Sequence, residues 1–109
     1  MTRLTSAVRV SALVRRVHLA GGSAMVLAKG DPTAGAILIL LLDRGEHPRF
    51  CERGLIDSGK LIESGPSHAD AIEAADYWQR RRARDPDLWV VEVDVAEGER
   101  FADETIGSG

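Results

Sequence analysis

The residues best equipped for chemistry in this chain are arginines. Arg80, Arg81, Arg82 and Arg84 crowd one short stretch, and Arg15 and Arg16 stand side by side in another. A guanidinium presents a rigid fork of donors that matches carboxylates and phosphates. Two such clusters brought together would bind a nucleotide, a nucleic acid or another anion. Kept apart, the same residues compensate helix ends and stay solvated. With Asp31, Asp85 and Trp89 nearby in type, Arg15, Arg16, Asp31, Arg80, Arg81, Asp85 and Trp89 make up the candidate ligand-binding set. The structural use is the expected one. Glu92, Asp94, Glu97 and Glu99 are at hand to neutralise the arginines, and a pI of 5.6 gives the whole domain no attraction to polyanions.

Other chemistries find less support. Gly30-Asp31-Pro32-Thr33-Ala34-Gly35 has the glycine content of a phosphate loop, but a strand follows it, where such a loop needs Lys-Ser/Thr opening a helix. It reads as a hairpin turn. Asp31, Asp85 and Asp87 offer carboxylates to magnesium or calcium. Asp85-Pro86-Asp87, however, marks a helix-to-strand corner where those residue types are favoured for backbone reasons, and no metal or cofactor is expected. His18, His47 and His68 lack the i, i+4 spacing of a shared metal. Ser6, Ser11, Ser23, Ser58, Ser64 and Ser67 include no Gly-x-Ser-x-Gly elbow. Cys51 stands on a predicted strand as a buried, unactivated thiol. Trp78 and Trp89 fall on apolar faces and read as core anchors rather than base-stacking platforms.

The elements that must position these residues belong to one core. A chain of 109 residues with 44% hydrophobic and 28% charged residues supports a single domain, expected over residues 1–97 with a frayed tail at 98–109. One cysteine permits no intrachain disulfide and suits a reducing, cytoplasmic location. The longest apolar run, Ala36 to Leu42, is far short of the ~20 residues that span a bilayer. Arg9, Arg15 and Arg16 interrupt any signal-like segment, so the N-terminal stretch reads as folded sequence. The net charge of -3 is unevenly spread. Residues 1–30 carry five cations and no acid, leaving -8 for the remainder.

Alternation over Leu4, Ser6, Val8 and Val10 predicts a first strand, with a helix from Ser11 through Leu13, Val14, Val17 and Ala20; a helix starting at Thr5 is the competing reading. Strands are predicted at Ala24–Lys29, at Ala36–Leu42 as the central one, and at Phe50–Arg53. A brief edge segment follows at Lys60–Glu63. Ser67 with Asp70 announces a second helix through Ile72, Ala75 and Trp78, which Pro86 stops near Arg84. Leu88–Val95 is a last, half-wet strand. The expected architecture is α+β, a mostly antiparallel sheet of four to five strands with two helices on one face.

Val10-Ser11-Ala12-Leu13-Val14-Arg15-Arg16, Gly30-Asp31-Pro32-x-x-Gly35-Ala36 and Asp85-Pro86-Asp87-Leu88-Trp89-Val90-Val91-Glu92 follow in that order. In these motifs the chain resembles a small bacterial family, domain of unknown function 1491, over residues 4–95. The resemblance implies a stand-alone cytoplasmic protein and brings no activity, substrate or partner. What the residues themselves favour is a non-catalytic protein-interaction module, most simply a homodimer, since a short chain with sheet edges needs no missing motif for that role. Anion, nucleotide or nucleic-acid binding through the arginines comes second, and a small enzyme using Asp and Arg third.

Overall fold

The apolar run beginning at Ile37 is buried because it lies in the middle of a five-stranded sheet with helices on both faces. The computed structural model describes residues 4–54 and 59–107. Its elements are α1 (Ser6–Leu19), β1 (Ser23–Ala28), β2 (Ile37–Asp43), β3 (Glu46–Arg53), β4 (Leu61–Ser64), α2 (Ala71–Arg84), β5 (Trp89–Asp94) and α3 (Gly98–Thr105). The strand order is β1-β5-β2-β3-β4. Three pairings are antiparallel and one, β2 with β5, is parallel. The fold is α+β with a mostly antiparallel sheet, and the central place of the Ala36–Leu42 run agrees with its two apolar faces.

Side chains alternate across this sheet into two cores. Ile37, Ile39, Leu41, Trp89, Val91 and Val93 meet Val10, Leu13 and Val17 of α1 and Ala102 of α3. Leu38, Leu40, Phe50 and Val90 face Ala74, Tyr77 and Trp78 of α2. The expectation of two helices on one face is therefore corrected: there are three among the described residues, divided between the faces.

The expected strand at Leu4–Val10 is instead the start of α1. Thr5 caps it, its hydroxyl accepting from the amide of Val8 at 3.2 Å. The alternation was coincidental, because Leu4 and Val8 stay exposed while Ser6, Val10, Leu13 and Val17 form the buried stripe. Gly30–Gly35 is likewise no hairpin. β5 inserts between β1 and β2, so this segment crosses over the end of the inserted strand. β5 accepts neighbours on both edges because Leu88, Trp89, Val90, Val91 and Val93 are all buried, and its wet residues Glu92 and Asp94 gather toward one end. There the Asp94 carboxylate accepts from the amides of Arg44 and Gly45 at 3.0 and 2.7 Å, holding the left-handed turn of the β2–β3 hairpin.

α2 begins at Ala71 rather than near Ser67. Asp70 caps it and forms a capping box with Glu73, which replaces the cap expected from Ser67. Where a frayed tail was expected, Gly98–Thr105 is helical, and Ala102, Thr105 and Ile106 are buried on its inner side. Ser58 lies outside the described residues, as do residues 1–3, 55–57, Ser108 and Gly109.

Candidate functional site

The sheet separates the arginines that the sequence grouped. Arg15 and Arg16 ride on α1 over one face, and Arg80, Arg81 and Arg82 on α2 over the other. Each group has its own local partners. Arg16 pairs with Glu104 of α3 at 2.5 Å. Arg81 forks onto Glu52 of β3 at 2.6 and 2.9 Å and also reaches the Tyr77 hydroxyl. Arg80 donates to the carbonyl of Asp76, and Arg82 to that of Lys29. The carboxylates used are Glu104 and Glu52. Of the acids expected to neutralise the arginines, Glu99 pairs with Arg49, Glu97 with Arg100, and Asp94 serves the hairpin turn.

Asp31, Asp85 and Trp89 do come together, as one hydrogen-bonded knot. The Trp89 indole N–H donates to the Asp31 carbonyl at 2.7 Å, and the Asp31 amide donates to the Asp87 carbonyl at 3.0 Å. The Asp31 carboxylate accepts from Thr33 and Ala34, and that of Asp85 accepts from Asp87. The first amides of α1, on Ser6 and Ala7, donate to the carbonyls of Thr33 and Pro32, and the Ser6 hydroxyl donates to that of Gly35. Those carboxylates are thus consumed by turns, and the start of α1 is closed by backbone carbonyls rather than open to an anion. Among the described residues no group of three or more His, Cys, Asp or Glu is placed to hold a metal ion. Cys51 is buried, and burial pushes its thiol up to about 12, which leaves it protonated and inert at neutral pH.

The surface with the most binding character lies elsewhere, between α1 and the edge strand β1. A groove of about 760 Å³ runs there, its apolar lining supplied by Ala7, Val10, Val14, Leu19, Val26 and Trp89. Leu19 is 78% exposed and Val26 41%, high values for residues of their type. Ser11, Arg15, His18 and Lys29 rim the groove, and no acid lines it. His18 reaches over the strand: its Nε2 lies 3.2 Å from the carbonyl oxygen of Ala24 and 3.4 Å from the amide nitrogen. In an antiparallel strand, alternate residues point their backbone groups to opposite sides. Ala24 therefore turns its groups away from β5 toward His18, and Val26, two residues on, turns its own pair to the open edge. Of this site the sequence indicated only Arg15 and Trp89. Val26 and Lys29 escaped notice, although the acid-free first thirty residues and the exposed apolar positions of a predicted strand were the available signal.

A family model for proteins of unknown function, DUF1491, matches residues 4–103. The chain belongs to the DUF1491 family. Two solved structures agree with this. One is the crystal structure of a DUF1491 family protein from Caulobacter crescentus CB15, 32% identical, with a TM-score of 0.79 over 92% of this chain and 94% of that one. The other is the solution structure of protein Atu0922 from A. tumefaciens, also 32% identical, with a TM-score of 0.72 over 86% of this chain and 87% of that one. No curated protein is detectably similar to the chain. The DUF1491 resemblance seen in three short motifs thus has a common physical basis. All three segments meet at the Asp31–Asp87–Trp89 knot or on the helix that it anchors. No helix among the described residues is long and apolar enough to cross a membrane.

Proposed function

We infer that the protein is a non-catalytic interaction module that works in the cytoplasm, and that its binding face is the groove between α1 and β1. The observation that carries this is the pairing of an open strand edge at Val26 with an apolar floor of Val10, Val14 and Trp89. A sheet edge supplies main-chain hydrogen bonds, and a neighbouring apolar groove supplies side-chain pockets, the two components of recognition by strand addition. The arginines grouped from the sequence offer a weaker basis for anion binding, since they occupy opposite faces of the sheet and mostly already have partners.

Site-specific photocrosslinking in the protein's own cells tests this. A benzophenone side chain is placed at Val26, with a control at Ile72, which is 81% exposed on α2. Discrete protein adducts at position 26 that are missing at position 72 are expected. Equal adducts at both sites, or none at position 26, would overturn the assignment of the face.

A further inference from the structure

We propose that the occupant of this groove is an acidic, extended segment of another protein, laid along β1 as a sixth strand; this builds on the reading of the α1–β1 face as an interaction surface. Charge decides the class of segment. Arg15 and Lys29 flank the groove without a carboxylate partner among the described residues, whereas the neighbouring Arg16 is turned toward Glu104 of α3. Arg82 donates to the carbonyl of Lys29, adding a further guanidinium at that end of the strand. A short segment with an apolar residue at its centre would seat that side chain on Val10, Val14, Val26 and Trp89. Acids two positions to either side of it share its face of the sheet and would meet the basic rim of Arg15 and Lys29.

The same charges disfavour a second copy. Pairing β1 with a symmetric β1 would bring two acid-free, thirty-residue segments together and set Arg15 and Lys29 of one protomer against those of its partner. The geometry also limits the segment's length. His18 covers the backbone groups of Ala24, and a bulge between Val26 and Ala28 distorts the other end, so the free backbone pair of Val26 is the centre of a short site. A strand extending past Val26 toward Ala24 must displace the imidazole. His18 thereby acts as a latch that keeps the edge from pairing indiscriminately.

The test pans phage-displayed random decamers against the full chain, then measures the affinity of an enriched synthetic peptide by fluorescence anisotropy. Peptides with a central apolar residue and acids two positions to either side of it should be enriched. The double variant R15E/K29E should weaken the selected peptide by at least roughly tenfold, and Val26→Pro, which removes the outward amide without touching the β1–β5 ladder, by a similar factor. His18→Ala should tighten it by roughly threefold or more. Circular dichroism melts of each variant confirm that it is folded. Light scattering of the wild type and Val26→Pro runs in parallel. Peptides enriched without acids, or affinity indifferent to R15E/K29E, overturn the acidic segment. A dimer that Val26→Pro dissolves also overturns it but keeps the face as an interaction surface. No enrichment and no self-association that depends on Val26 overturns both.

Discussion

Arg81 of α2 and Glu52 of β3 meet in a two-pronged ion pair, with Nη1 donating to Oε2 at 2.6 Å and Nη2 to Oε1 at 2.9 Å. The Tyr77 hydroxyl accepts from the same guanidinium at 3.0 Å, and the Tyr77 ring packs against Phe50 with centroids 4.8 Å apart. This joint clamps α2 to the β3 side of the sheet. Most of both side chains is withdrawn from water, with 31% and 17% exposed, so removing one partner strands the other in a poorly hydrated place. Arg81→Gln and Glu52→Gln should each lower stability by about 1–3 kcal/mol in urea unfolding. The double variant should cost less than the sum, which a double-mutant cycle reads directly.

The same pair predicts a pH dependence. Burial tends to raise the Glu52 carboxyl, but the hydrogen bond and charge of Arg81 outweigh it and hold the group below its ordinary 4.5. A carboxyl depressed in the folded state adds stability that is full above the unfolded value and disappears as pH falls through the folded one. Wild type and Glu52→Gln should therefore differ most near neutrality and draw together as the pH falls below 4.5. Urea midpoints measured at several pH values check this, and a constant gap would contradict it.

How far sequence patterns carry depends on whether local or distant partners decide an element. The Ala36–Leu42 run was legible as the central strand because its burial on both faces is written in its own residues. The stop of α2 before Pro86 was local as well. The order of strands was not, because whether β1 pairs with β2 or β5 depends on contacts more than sixty residues away. α1 was misread at its start, since Ser6 is buried through a hydrogen bond to Gly35, a partner that no period in Leu4–Val10 could reveal. The arginines were visible as residues but not as places. One helix face meets α3 and the other meets β3, and only the topology puts the sheet between them.

Cys51 should be silent toward thiol reagents. Burial, reinforced by the negative charge of Glu99, raises it to about 12. Ellman's reagent at mildly alkaline pH should react with the unfolded chain within minutes and with the native protein only as fast as it opens. A thiol raised on folding supports the native state fully below its ordinary 9.0 and withdraws that support as pH climbs toward the folded value. Cys51→Ala should accordingly flatten the alkaline decline in melting temperature.

Two glycines should respond very differently to one added methyl group. A Cβ at Gly35 would overlap the carbonyl oxygen of Asp87 and crowd the backbone of Asp31, atoms that belong to the knot and have no room to retreat. Gly35→Ala is expected to cost about 2–4 kcal/mol. At Gly45 a Cβ meets nothing within 4 Å, and only the φ of +79° opposes it. Gly45→Ala should therefore cost about 1 kcal/mol, the ordinary penalty of the left-handed region. Calorimetric melts of the two variants would show the contrast, and similar losses would mean that the knot yields more than its packing implies.

Residues 98–107 supply the clearest separation between a tail and a structural element. Ile106 is 1% exposed at the end of α3, its amide donates to the Ala102 carbonyl at 2.8 Å, and it packs into the core that contains Val10 and Leu13 of α1. Arg16 of α1 reaches Glu104, and Arg9 donates to the Thr105 carbonyl at 3.3 Å, so polar contacts surround the apolar one. Ile106→Ala leaves a cavity lined from three elements and should destabilise by about 2–4 kcal/mol. Ile72→Ala, at a residue of α2 that is 81% exposed, removes the same atoms and should change stability by less than about 0.5 kcal/mol. Urea denaturation of both variants gives the comparison. Equal and small effects would return residues 98–107 to the status of a loose tail, while a large effect confined to Ile106 makes α3 part of the core that supports α1, and with it one wall of the α1–β1 groove.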